Sequence, residues 1–152
     1  LNRIPQLYYG TEILMNGTKE TTDGNVRKDF PGGFAGDTAN KFTREGRTAE
    51  ENAMFDWTSR LLHWRQGNKV ITHGKQTQFL PWHGTYIVAR QYKGKNVMPV
   101  INGRNAANKM EVKRYAEIIG NHTTARDITT GKTVSLTADV PLSARQAMVL
   151  EF

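Results

Sequence analysis

Arg3-Ile-Pro-Gln-Leu-Tyr-Tyr-Gly-Thr-Glu12, RIPQLYYGTE, is the stretch on which the fold turns. Ile4 to Tyr9 is a short apolar and aromatic run closed by Gly10, and it reads as a buried strand entering a turn. No partner strand follows. Asn16 to Arg47 is instead polar and rich in Gly, Thr, Asp and Asn. A loop of about thirty residues exceeds the usual connection in a compact domain, so it is expected to be functional, disordered or part of a scaffold that lies elsewhere, with function the favoured reading.

Downstream, Thr48 and Glu51 form a capping box, in which the hydroxyl accepts from the amide three residues on and the carboxylate returns to the amide of Thr48. A helix is expected from there. Met54, Trp57, Leu61 and Trp64 recur at spacings of three and four, and Gly67 offers a left-handed stop. The tryptophans share their stripe with aliphatics, so core packing is their expected role.

From Lys69 the pattern changes to strands, expected at Lys69–Thr72, Lys75–Trp82, Thr85–Tyr92, Asn96–Asn102, Ala116–Ile119, Thr133–Thr137 and Ala147–Phe152. The KGKN segment at Lys93 to Asn96 is expected to close a hairpin, and Thr130 to Lys132 a second tight turn. Pro99 places its strand at an edge or a bulge. The fold class is therefore mixed: strand 4–9, loop 10–47 and helix 48–66 as the last βα unit of a (β/α)8 barrel, within residues 1–67. An antiparallel, all-β C-terminal sandwich follows over 68–152. One βα unit cannot close a sheet alone. Strand 4–9 and the face of helix 48–66 are thus expected to find cover by self-association or on the β-domain.

Composition narrows the chemistry. The 152 residues hold no cysteine, which excludes disulfides, thiolate metal sites and cysteine nucleophiles. The four histidines have no zinc-binding spacing, no Gly-rich phosphate loop of the familiar kinds occurs, and no apolar run is long enough to span a membrane. No metal and no cofactor are expected. Twenty-one basic against fourteen acidic side chains give +7, but the basic residues are dispersed or alternate with acids, so no nucleic-acid groove is expected. Ser59, Ser135 and Ser143 lack the context of a serine nucleophile. The acids around the helix start are explained by capping and the helix dipole.

RIPQLYYGTE resembles the eighth barrel strand of the α-amylase superfamily, where Gly-Ile-Pro-x-x-Tyr-Tyr-Gly-Thr-Glu is common, with Arg3 in place of the glycine. NVRKDFPGGF, Asn25 to Phe34, is similar to the Arg-x-Asp-Phe-Pro-Gly-Gly-aromatic loop of bacterial cyclomaltodextrinase and neopullulanase-like enzymes. DITTGKTVSL and ADVPLSARQAMVLEF resemble the last strands of the β-sandwich that follows the barrel in those enzymes. The resemblance implies retaining hydrolysis of α-glucosidic bonds in maltodextrin, cyclodextrin or pullulan by three carboxylates on earlier barrel strands. It therefore implies no catalytic residue in this chain and an α-glucan oligosaccharide as partner of the parent enzyme. A periplasmic or secreted location is implied by the same likeness.

The resemblance also implies substrate-binding residues. Asp23 and Arg27 match an Asp-x-x-x-Arg pair that contacts a glucose on the non-reducing side, with Gly24 where the family has proline. The carboxylate accepts from sugar hydroxyls while the guanidinium donates in a fixed fork. The alternative is that Asp23 caps a turn and Arg27 pairs with Asp29. Asp29 and the following FPGG shape the loop, and Phe34, where the family tends to have tryptophan, presents an apolar face to a sugar ring. A second reading is a non-catalytic carbohydrate-binding β-module whose Trp82, Tyr86, Tyr92 and Tyr115 stack on sugars.

Overall fold

The computed structural model describes residues 5–20 and 22–152 and divides the chain into two compact units, Leu1–Leu62 and His63–Phe152. In the first unit the expected strand 4–9 is not found. Ile4 lies outside the described residues, Pro5 to Tyr8 carry no strand, and Tyr9 and Gly10 form a turn. The physical reason is pairing: a parallel strand owes its ladder to neighbours on either side, and none is supplied to this segment among the described residues. Loop 10–47 is irregular apart from two short 3-10 turns, Thr11–Ile13 and Asp23–Val26.

Helix α1, Ala49–Gln66, begins at the expected capping box. Thr48 Oγ1 accepts from the Glu51 amide at 3.2 Å, and Glu51 Oε2 accepts from the Thr48 amide at 2.7 Å. Lys41 Nζ also reaches Glu51 Oε2 at 2.6 Å, and this bond, with the Thr48 amide behind it, holds the Glu51 carboxyl below the ordinary glutamate value. Thr48→Ala is expected to cost about 1 kcal/mol of helix stability. Amide exchange over Ala49 to Met54 checks this, and unchanged protection there would refute it.

The helix ends without the expected left-handed glycine: Gly67 is not among the positive-φ residues, and the Asn68 amide instead closes on the Arg65 carbonyl at 3.1 Å. No residue of α1 is buried, and Trp57 and Leu62 on its surface are exposed, as are Leu7, Tyr8 and Tyr9. Met54, Leu61 and Trp64 of the expected face are half-buried, and Trp64 packs against Val70, Ile71 and Val97.

In the second unit Lys69–His73 is a short helix, α2, rather than the strand its Val-Ile pair favours. Asn68 decides it. The Asn68 side chain accepts from the Val70 amide at 3.0 Å, a cap that turns the backbone before an extended run can start. The strands are β1 Lys75–Gln78, β2 Thr85–Tyr92, β3 Lys95–Asn102, β4 Asn108–Met110, β5 Thr124–Asp127, β6 Thr133–Ser135, β7 Val140–Leu142 and β8 Ala147–Glu151. Six form one antiparallel sheet in the order β1-β2-β3-β8-β5-β6, and β4 pairs with β7 in a second, smaller sheet. This is a mostly antiparallel β-domain with few helices.

Ala116–Ile119 is a helical turn, α3, where a strand is expected. Tyr115, Ile118 and Ile119 are all buried, and their spacing of three and four is the helical period, hidden by the β-rich composition of the segment. Pro99 is a further correction. Its strand β3 lies inside the sheet between β2 and β8, not at an edge. The missing N–H is felt there: pairing with β2 runs from Thr85↔Asn102 to Ile87↔Val100, skips the two positions facing Pro99 and Met98, and resumes at Arg90↔Val97 without a register change.

The β2–β3 hairpin turns where expected, on Lys93 and Gly94, both left-handed at φ 49° and 76°, a geometry that matches strand twist. The core is built from the inner face of the large sheet, Ile87, Ala89, Met98, Val100, Met148 and Leu150, together with Met110, Val140 and Leu142 of the small one. Tyr86 and Val88 point away from that face, since the buried positions of β2 are Thr85, Ile87 and Ala89. On the opposite face Val97 is covered by α2 through Val70 and Ile71.

Candidate functional site

Two glycines shape the first unit's candidate site. Gly10 sits at φ 81°, where a side chain would collide with Met15, and a Cβ at Gly17 would meet the Asn25 carbonyl. These close approaches fold residues 8–28 back on themselves. The Met15 amide donates to the Gly10 carbonyl at 2.9 Å, the Tyr9 hydroxyl to the Lys28 carbonyl at 2.7 Å, and Lys28 Nζ to the Asn16 carbonyl at 3.3 Å. The half-open cavity so formed is about 440 Å3, with Tyr8, Tyr9, Met15, Val26, Arg27 and Lys28 in its wall. The Tyr8 and Tyr9 rings lie 4.6 Å apart at 38°.

Asp23 and Arg27 come together on one 3-10 turn. Arg27 Nη2 lies 3.3 Å from Asp23 Oδ2, and Lys19 Nζ lies 3.0 Å from Asp23 Oδ1. The expected alternative, Arg27 paired with Asp29, is not what forms. Asp29 takes no ion-pair partner among the described residues, but its charge acts on Tyr9. The Tyr9 hydroxyl is held above its ordinary value, chiefly by its hydrogen bond with Tyr8, then by burial, Tyr8's charge and the Asp29 carboxylate, with Arg27 opposing. Lys19 was not visible as a partner in the sequence, although its spacing of four before Asp23 was the signal.

Phe34 stands apart from that pair. It is 65 % exposed, on a loop held by Asp37, whose Oδ2 accepts from the Gly32 amide at 2.6 Å and the Phe34 amide at 3.0 Å. The Phe34 and Gly32 amides favour the charged form and hold the Asp37 carboxyl below its ordinary value. Gly32, at φ 108°, passes so close to Asn40 that a Cβ would strike its Oδ1. Arg47 anchors the far end: Nε donates to Asn52 Oδ1 at 2.9 Å, Nη1 to the Lys41 carbonyl at 3.0 Å, and the guanidinium lies 3.9 Å from the Phe55 ring centre. The loop thus offers an exposed ring on a fixed backbone, with an ionic triad and a tyrosine-lined cavity elsewhere in the same unit.

The β-module residues divide. Tyr115 is 1 % exposed and packs edge-on against Phe79 with ring centres 4.9 Å apart, so it cannot stack on a sugar. Trp82 is 41 % exposed, but its Nε1 donates to Glu111 Oε1 at 3.3 Å, the Arg114 guanidinium lies 4.5 Å from its ring, and the His83 ring lies 4.6 Å away. Tyr86 and Tyr92 are half-buried. Among the described residues no group of three or more metal-ligating side chains assembles, and no helix is long and apolar enough to cross a membrane.

Residues 76–151 match a family model described as the cyclo-malto-dextrinase C-terminal domain. Among solved structures, the α-amylase of Geobacillus thermoleovorans in complex with acarbose shares 21% identity at a TM-score of 0.64, over 95% of this chain and 28% of that one. An Anoxybacillus α-amylase is similar over the same shares, at 18% identity and a TM-score of 0.64. AmyP in complex with maltose is similar over 69% of this chain and 21% of its own, at 18% identity and a TM-score of 0.60. At these identities the likeness is one of fold. The chain spans about a quarter of the length of these structures.

Proposed function

We propose, for a chain that belongs to the cyclo-malto-dextrinase C-terminal domain family, that it is the C-terminal part of an α-amylase-type glycoside hydrolase acting on α-1,4-linked glucans such as maltodextrin, cyclodextrin or pullulan. In this reading the β-domain is structural support, and loop 10–47 forms one wall of the substrate groove. Cleavage belongs to carboxylates elsewhere in the parent. A periplasmic or secreted setting is proposed on the same resemblance.

The observation that carries the groove reading is the Asp23–Arg27 pair, with Arg27 also lining the cavity beside Tyr8 and Tyr9. A paired carboxylate and guanidinium present acceptors and donors at fixed spacing, which suits vicinal sugar hydroxyls. Lys19 holds the other Asp23 oxygen at 3.0 Å. Phe34 offers an apolar face for a ring, and Asp29 shapes the approach to the cavity.

Titration of the chain with maltotriose, followed by amide chemical shifts, tests the reading. Binding is expected to weaken about tenfold in Asp23→Ala and in Arg27→Ala, a loss equal to about 1.4 kcal/mol, and to be unchanged in Trp82→Ala. The opposite pattern, loss in Trp82→Ala with Asp23→Ala unaffected, would hand the function to a sugar-binding β-module. That reading retains Trp82 as its one candidate with an exposed ring edge.

A further inference from the structure

The net positive charge of this protein lies in one unit. Residues 63–152 carry thirteen Lys and Arg against five Asp and Glu, a net charge of +8, while residues 1–62 carry eight against nine, a net charge of −1. Within the basic unit the structure forms a cleft of about 500 Å3 lined by Trp64, Asn68, Lys69, Tyr92, Lys93 and Lys95, with Glu151 at its wall. That volume lies in the range of small-molecule sites.

The donors and acceptors of the cleft are unequal. Asn68 Oδ1 is occupied by the Val70 amide, and Asn68 Nδ2 is given to Glu151 Oε1 at 3.1 Å, so the one carboxylate in the cleft keeps Oε2 as an acceptor. Lys69, Lys93 and Lys95 enter no ion pair among the described residues. Against that single carboxylate stand three ammonium groups, donors with no acceptor of their own. A neutral polyol can give its donors to Glu151 but leaves the excess positive charge of the cleft uncompensated. An anion that also carries hydroxyls matches both.

The three lysines are also fixed by backbone. Lys69 is the first residue of α2, set by the Asn68 cap. Lys93 occupies the left-handed turn, its ammonium 5.6 Å from the Tyr92 ring centre, and Lys95 lies opposite Tyr92 in the sheet register. Three positive charges on two adjoining elements suit a phosphate, which lysine binds as a point charge. Trp64 and Tyr92 add apolar wall that free phosphate does not use.

We propose that this cleft binds a small phosphate monoester with a hydroxylated ring, a sugar phosphate, its phosphate held by Lys69, Lys93 and Lys95 and its ring against Trp64 and Tyr92. The proposal stands on the charge and geometry of the β-domain and does not depend on the maltodextrin reading.

The test is a titration of the full chain with glucose 6-phosphate, inorganic phosphate and maltose, each at ionic strength matched with sodium chloride, read by amide and indole chemical shifts. Glucose 6-phosphate is expected to shift the Lys69, Lys93, Gly94 and Lys95 amides and the Trp64 indole, with inorganic phosphate binding the same residues at least tenfold more weakly. Lys93→Gln/Lys95→Gln, both changes at exposed positions, is expected to lose at least tenfold in affinity while the spectrum elsewhere is unchanged. Equal affinity for inorganic phosphate would assign the cleft to the free anion and overturn the ester. A response to maltose alone, shifts spread evenly over Lys109, Lys113 and Arg145, or no response beyond sodium chloride would each overturn the site.

Discussion

Replacing Asp127 by alanine is expected to destabilise the β-domain by about 3 kcal/mol, lowering its melting temperature on the order of 10–20 °C. The carboxylate is 3 % exposed and enters no ion pair among the described residues; neutral donors hold it. Oδ1 accepts from the Thr129 amide at 2.9 Å, the Thr129 hydroxyl at 2.8 Å and the Val149 amide at 3.2 Å, and Oδ2 accepts from the Thr130 hydroxyl at 2.8 Å. Alanine would strand the donors of buried Thr129 and the amide of half-buried Val149, and each orphaned amide is costly. The contact to Val149 raises the stakes, because it ties the β5–β6 turn to β8 near the middle of the sheet. Asp127→Asn keeps the shape and the Oδ1 acceptor, so about half the loss is expected. Thermal unfolding followed by circular dichroism at neutral pH decides the matter, and an Asp127→Ala melting point within a degree or two of the parent would refute it.

Tyr115→Ala is expected to cost about 3 to 5 kcal/mol, the range for emptying a buried aromatic site. The ring fills the core between Phe79 and the helical turn that carries Ile118 and Ile119. Tyr115→Phe keeps that filling and separates packing from ionisation. Burial, first among the influences on it, pushes the Tyr115 hydroxyl above its ordinary value of 10.0. The folded state therefore holds the proton more tightly than the unfolded chain does. Its contribution is complete below pH 10.0 and is lost as pH rises from there through the folded value. Urea unfolding at neutral pH should place Tyr115→Phe close to the parent. Above pH 10 the parent should lose stability relative to Tyr115→Phe, and a constant difference across that range would remove ionisation from the account.

Much of this molecule was readable from residues whose physics is local. The Thr48–Glu51 box, the Lys93–Gly94 turn and the Gly131 turn depend on neighbours within a few positions, and each appears where the sequence places it. The family was readable too, and its model matches residues 76–151, which hold the C-terminal motifs. Errors arose where a short segment has two local options. Val70 and Ile71 favour a strand until the Asn68 cap is weighed, and Ile118 and Ile119 favour one until their spacing from Tyr115 is counted. The strands β4, β5 and β7 are three or four residues long and carry too few apolar side chains to show a period. Of the site, the Asp23–Arg27 contact follows from their spacing, whereas the Asp37 clamp on Gly32 and Phe34 depends on a loop path that no periodicity encodes.

The sheet order has a consequence for synthesis. β8 is made after every other strand but takes its place between β3 and β5. A ribosome that has delivered residues 75–135 has released two hairpins, β2–β3 and β5–β6, that flank a vacant slot and expose facing strand edges to anything nearby. Until residue 151 emerges, the nascent chain carries that open slot with the β3 and β5 edges unpaired.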